Sequence, residues 1–190
     1  MGRALLEGNQ TVLLRKGGIK EPVFRPEARQ FLLFPTKFHT DADLLQPAMA
    51  QRYRSLSDSF PEPKTQPEVV FEVAGEVTGC WTTMDPGVLP LTSGLHIWSD
   101  AFLEHRLKWR PKQPITILEV RARRIPGSRL AVPSDPDMFG CFSWVDLTSA
   151  TQAADVSEWE PAIPDAEFVK RQVQLRQALA KLPDVEELLL

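Results

Sequence analysis

The stretch Gly94–Arg124, GLHIWSDAFLEHRLKWRPKQPITILEVRARR, constrains the fold more than any other part of the chain. It spells a capped helix, a turn bracketed by two prolines, and a strand. Ser99 is placed as an N-cap, because its hydroxyl can accept from a free N–H of the first turn. Asp100 then sets a negative charge at the positive end of the helix dipole. Trp98 and Leu103 have the spacing of a hydrophobic staple. Arg110 stands before Pro111, and a residue in that position is pushed out of helical geometry, so the helix closes there. Beyond the turn, Ile115–Arg124 alternates with period two. Thr116, Leu118, Val120 and Ala122 share one face, and Ile115, Ile117, Glu119, Arg121 and Arg123 share the other.

The same stretch concentrates positive charge. Between Asp100 and Leu130 there are eight basic residues against three acids, whereas the last forty residues carry eight acids against four bases. The net charge of −3 therefore conceals a basic patch, which suits either an anionic partner or a solvated face balanced by the acidic tail. Two cysteines, Cys80 and Cys141, lie far apart without metal spacing, which points to buried thiols in a reducing compartment. Met1–Gln10 lacks the apolar core of a signal peptide, and no run approaches the ~18 apolar residues of a membrane span. A cytoplasmic protein without a membrane partner is the expectation.

Seventeen prolines cluster between the periodic segments and predict stiff, irregular connections. Ala4–Glu7 reads as a helix end stopped by Gly8 and Asn9, and Thr11–Lys16 as the first strand, ended by Gly17 and Gly18. Phe31–Thr36 is predicted to be a strand buried on both faces, and Leu44–Leu56 a helix with Pro47 in its first turn. Ser57–Pro67 is a loop. Val69–Thr83 reads as one long strand, bent where Gly75 and Gly79 allow a bulge. Asp85–Gly94 and Ile125–Phe139 are read as connections, and Cys141–Leu147 as the last strand. Asp165 is expected to cap a helix running to Leu182, with Phe168, Leu175, Leu179 and Leu182 on one stripe, and the final PDVEELLL to add a turn or two. Few helices, unevenly placed among strands, predict an α+β domain over residues 1–150 on a small, strongly bent mixed sheet or barrel. Residues 151–190 form an acidic linker and a C-terminal amphipathic helix, packed on the domain or forming a dimer seam. The oligomeric state stays open.

Four segments together, ALLEGNQTVLLRKGGI, FLLFPTKFH, HIWSDAFLEHRLKWRPKQPITILEVRARRI and GCFSWVDL, resemble an uncharacterised bacterial family known only as a domain of unknown function. More distantly, Gly8–Arg15 is similar to the turn-into-strand of ASCH and PUA-like domains, with Gln10 and Leu13 where that pattern carries Lys and Glu. That second resemblance implies a PUA-like pseudobarrel binding RNA or modified nucleobases in a cleft.

The function expected from the charge pattern is noncatalytic binding of RNA or another nucleic acid. Arg15, Lys16, Arg106, Arg110, Lys112, Arg121 and Arg123 would neutralise phosphates and release counterions, and Trp109 would stack on an unpaired base. Convergence of Arg15, Trp109, Arg110 and Arg121 on one concave surface is what this reading requires. The competing reading is a divergent metal-dependent nuclease of the PD-(D/E)XK type, with Asp100 and Glu119-Val120-Arg121 as its approximate motif. In the bland alternative, Glu119 is an ion-pair partner of a neighbouring arginine. A thiolate–imidazole pair would need Cys80 or Cys141 beside His39, His96 or His105. Isolated histidines and Gly17-Gly18 give neither zinc spacing nor a phosphate loop, so no metal or cofactor is expected.

Overall fold

The computed structural model of the chain describes residues 1–17, 21–35, 44–58, 63–139, 143–147 and 155–190. Its centre is β5 (Ile115–Arg124), which occupies the predicted positions and pairs antiparallel with β1 (Val12–Lys16) on one side and β4 (Val73–Thr83) on the other. The far edge of β4 is shared. β2 (Gln30–Leu32) pairs with Ala74–Glu76, and β7 (Glu186–Glu187) pairs with Trp81 and Thr82. β3 (Glu68–Phe71) and β6 (Leu130–Pro133) form a separate two-stranded sheet. The fold is α+β with a C-terminal helix, as expected. Every strand pairing among the described residues is antiparallel rather than mixed, and the sheet is not closed into a barrel.

Period-two alternation puts two cores on the two faces of this sheet. Ile115 and Ile117 join Val12, Leu14 and Trp81 beneath the helices α3 (Val88–Thr92), α4 (Asp100–Lys108) and α5 (Asp165–Leu179), which supply Val88, Leu89, Leu103, Leu175 and Leu179. Leu118, Val120 and Ala122 pack on the opposite face with Leu13, Val77, Cys80 and Phe24, and with Leu5 and Leu6 of α1 (Gly2–Leu6). Covered on both sides, β5 carries no solvated face, contrary to what its charged positions suggested. α2 (Pro47–Asp58) begins at its proline and joins a smaller cluster in which Tyr53 meets Ala4 and Ile97.

Several expectations are corrected. The single strand predicted over Val69–Thr83 divides at Glu72 because Val69 and Phe71 pack in a third cluster with Ile125, Val132 and Met138. The bulge appears where the glycines allowed it, between Val77 and Gly79, and a Cβ at Gly79 would collide with the Trp81 ring. β2 is a short, half-buried edge strand rather than one sealed on both faces. Connections read as irregular contain α3 and β6, and the final residues form β7 instead of a helical turn. Residues 143–147 are not a strand; Cys141 and Phe142, where that strand was to begin, lie outside the described residues.

Candidate nucleic-acid interface

α4 starts and stops as its sequence dictates. The Ser99 hydroxyl accepts from the Phe102 N–H at 3.2 Å. At the other end, Trp109 N donates to His105 O at 3.0 Å. Arg110, barred from the helical region by Pro111, takes the left-handed conformation with φ of 54°. Its carbonyl accepts from Gln113 N at 3.0 Å, closing a compact turn. The turn is clamped from the sheet. Lys16, the last residue of β1 and 7% exposed, donates through Nζ to the carbonyls of Gln113 at 2.5 Å and Arg110 at 3.1 Å. A cation at a helix C-terminus neutralises its carbonyl dipoles, while burial lowers the ammonium pKa.

This clamp leaves Trp109 43% exposed, with the Arg110 guanidinium carbon 4.5 Å from the indole centroid. Lys112 is exposed beside it, and Lys108 holds a solvent-exposed pair with Glu104 at 3.6 Å. Pairs of that kind contribute little and leave the ammonium available. Arg106, one turn back on α4, lies over the Phe102 ring at 5.4 Å. Arg15 lies over Phe24 at 4.8 Å and reaches Ser143 Oγ at 3.4 Å. Burial lowers the pKa of Arg15, the positive charge of Arg106 lowers it further, and Glu21 opposes both. The two guanidinium groups therefore sit in one another's field.

Arg121 and Arg123 are elsewhere. Lys16 and Arg15 pair with Ile115 and Thr116 at the start of β5, and six residues of strand at ~3.3 Å each put Arg121 about 20 Å further along. Arg121 pairs with Asp165 and lies 4.7 Å over the Phe168 ring. Arg123 binds Glu76 Oε2 at 3.2 Å and the Trp159 carbonyl at 3.0 Å. Both side chains are nearly buried and fasten the sheet to the segment entering α5. Of the eight residues singled out from sequence, six lie at one end of the sheet, Arg15 among them on the face of Phe24 rather than that of α4, and these two do not join them.

The chain matches the family described as a domain of unknown function (DUF1802) over residues 3–174. It belongs to that family. No curated protein and no solved structure matches the chain. The likeness to ASCH and PUA-like domains is not carried by these comparisons.

In this DUF1802 member the other candidate residues have structural partners. Glu119 is 2% exposed. It accepts from Arg176 Nη1 at 2.9 Å and Nη2 at 3.2 Å, from Gln172 Nε2 at 2.9 Å, and from Thr78 Oγ1 at 2.7 Å. It is an ion-pair partner, as the bland reading held, but of an arginine in α5 rather than of a neighbour on its own strand. Asp100 lies in the first turn of α4. Among the described residues no three His, Cys, Asp or Glu side chains gather as a metal site would need. Burial pushes the Cys80 thiol up to about 11, which keeps it protonated and unreactive. His96 is buried and neutral, its Nδ1 accepting from Trp98 N at 3.3 Å. His39 and Cys141 fall outside the described residues. Among those residues no helix is long and apolar enough to cross a membrane.

A pocket of about 250 Å³ opens beside the basic turn, lined in part by Lys16, Met84, Lys108 and Gln113. Lys108 reads from sequence as half of a helix ion pair, and nothing in the pattern marks Met84 or Gln113. Met84 comes to the turn only because β4 ends beside β5.

Proposed function

We propose that the chain binds nucleic acid through the turn that follows α4. The carrying observation is the exposed Trp109 ring with Arg110 upon it, flanked along the chain by the exposed Lys108 and Lys112. Exposed indole beside clustered cations is what a sequence-tolerant nucleic-acid surface needs: the cations hold phosphates and the ring stacks on a base. The convergence with Arg121 that the sequence reading required is not met, because Arg121 and Arg123 are consumed by ion pairs near α5, and the footprint shrinks to the turn itself. The role is noncatalytic. The carboxylates that the nuclease reading would have needed are engaged elsewhere or stand at a helix start, and no observation favours that reading.

Electrophoretic shifts with RNA and with DNA at two salt concentrations test the proposal. Binding should weaken as salt rises. Lys112→Glu should weaken it across sequences and reduce the salt slope by about 1. Trp109→Ala should cost ~1–3 kcal/mol of affinity, with circular dichroism establishing that the variant folds. Binding that is absent, or indifferent to salt, overturns the reading.

A further inference from the structure

The pocket beside the turn is larger than a phosphate needs, and its largely apolar walls suit a base. Its walls are Met84, Pro86, Leu107 and Pro111, and Lys108 stands exposed beside them. Met84 is 46% exposed; with Trp109 it leaves two large apolar side chains in water around a single set of cations. At about 250 Å³ the space falls below the ~300–1,000 Å³ of pockets for drug-sized ligands, and suits one planar heterocycle.

Two polar groups in the lining are incompletely used. An ammonium has three donors, and the buried Lys16 spends two on the carbonyls of Arg110 and Gln113, leaving a third without a partner among the described residues. The Gln113 side-chain oxygen is buried and has no hydrogen-bond partner there either. Lys16 and Gln113 both line the pocket and are tied together by the 2.5 Å bond from Lys16 Nζ to the Gln113 backbone oxygen, so the spare donor and spare acceptor belong to adjoining residues of one wall. A donor next to an acceptor is the complement of a nucleobase edge, where an amino or imino N–H adjoins a ring nitrogen or carbonyl. A backbone phosphodiester has no N–H or O–H to offer the acceptor.

We infer that this pocket receives one unstacked nucleobase, its edge meeting Lys16 Nζ and the Gln113 side-chain oxygen while the neighbouring cations hold the strand. The inference rests on the nucleic-acid reading above and narrows it. Bases inside a duplex are paired and stacked and cannot enter such a pocket without being extruded, so the chain takes single strands in preference to duplex.

Fluorescence anisotropy with a labelled single-stranded RNA, and with the same strand annealed to its complement, provides the test. The single strand should bind roughly tenfold more tightly or better, the scale of one base-stacking contact. Gln113→Ala and Met84→Ala should each weaken single-strand binding several-fold and leave duplex binding unchanged, with circular dichroism establishing that both variants fold. Free nucleosides should compete, whereas inorganic phosphate at matched ionic strength should not. Equal affinity for single strand and duplex, variants that bind as the parent does, or competition by phosphate alone would each overturn the pocket assignment while leaving the wider reading intact. Failure of both forms to bind would remove both readings.

Discussion

Glu119 is a buried carboxylate on which two elements converge. Thr78 from β4 and Gln172 and Arg176 from α5 all donate to a carboxylate with almost no access to water. Arg176 also lies 4.1 Å over the Trp81 ring, so the pair is shielded on one side by an aromatic face. Removing the acid strands these donors, and Glu119→Ala is expected to cost roughly 2–4 kcal/mol. Urea unfolding should show a lower midpoint with an unchanged slope. His96 makes a second residue-scale prediction. Burial holds its pKa at about 4, against an ordinary 6.5, with Asp100 only partly opposing. Between those values the unfolded chain takes up a proton that the folded chain refuses. Its contribution is therefore complete above pH 6.5 and is lost as the pH falls toward 4. Stability should drop by about 2 kcal/mol at most between pH 7 and pH 5, at ~1.4 kcal/mol per unit. His96→Gln should flatten that slope in denaturant titrations at the two pH values.

At the scale of elements, α4 and its turn carry the interface, so the cap that starts the helix has a testable worth. Ser99→Ala should destabilise the chain by about 1 kcal/mol, read as a lower thermal midpoint; an unchanged midpoint would mean that packing alone holds the helix. This element was legible because its determinants are local: the Ser99 cap, the proline after Arg110, and the alternation that brackets β5. β6 and β7 were not legible. Each is short, β6 ends in Pro133, and each becomes a strand only because a partner arrives from far along the chain, as β6 does with β3. The same limit applied to the site. Trp109 and Arg110 were singled out from sequence because the charge and the turn chemistry lie within a few residues, whereas the bond by which Lys16 clamps their turn was hidden by the 94-residue separation of Lys16 and Arg110. The commitment of Arg121 to Asp165 and of Arg123 to Glu76 was hidden, since those acids lie 44 and 47 residues away.

Across the whole molecule, the C-terminal helix completes the main core. Leu175 is fully buried and Leu179 nearly so, in the cluster that also holds Val12, Trp81 and Ile117. A division into a domain of residues 1–150 and a packed appendage therefore understates what α5 does. The fragment 1–150 should fail to fold cooperatively, showing weakened far-UV dichroism and binding of a hydrophobic dye; a sharp unfolding transition for it would overturn this view. The outer border of β4 has its own lesson. It is finished by two scraps of chain from opposite ends of the sequence, one from Gln30–Leu32 and one from Glu186–Glu187. Asp184 secures the second by accepting from Met84 N at 2.8 Å. A border left open is a template on which further molecules can add strand by strand. The last few residues, with two adjacent negative charges on so short a segment, cover this stretch of the border with a strand too brief and too charged to be a good template for the next.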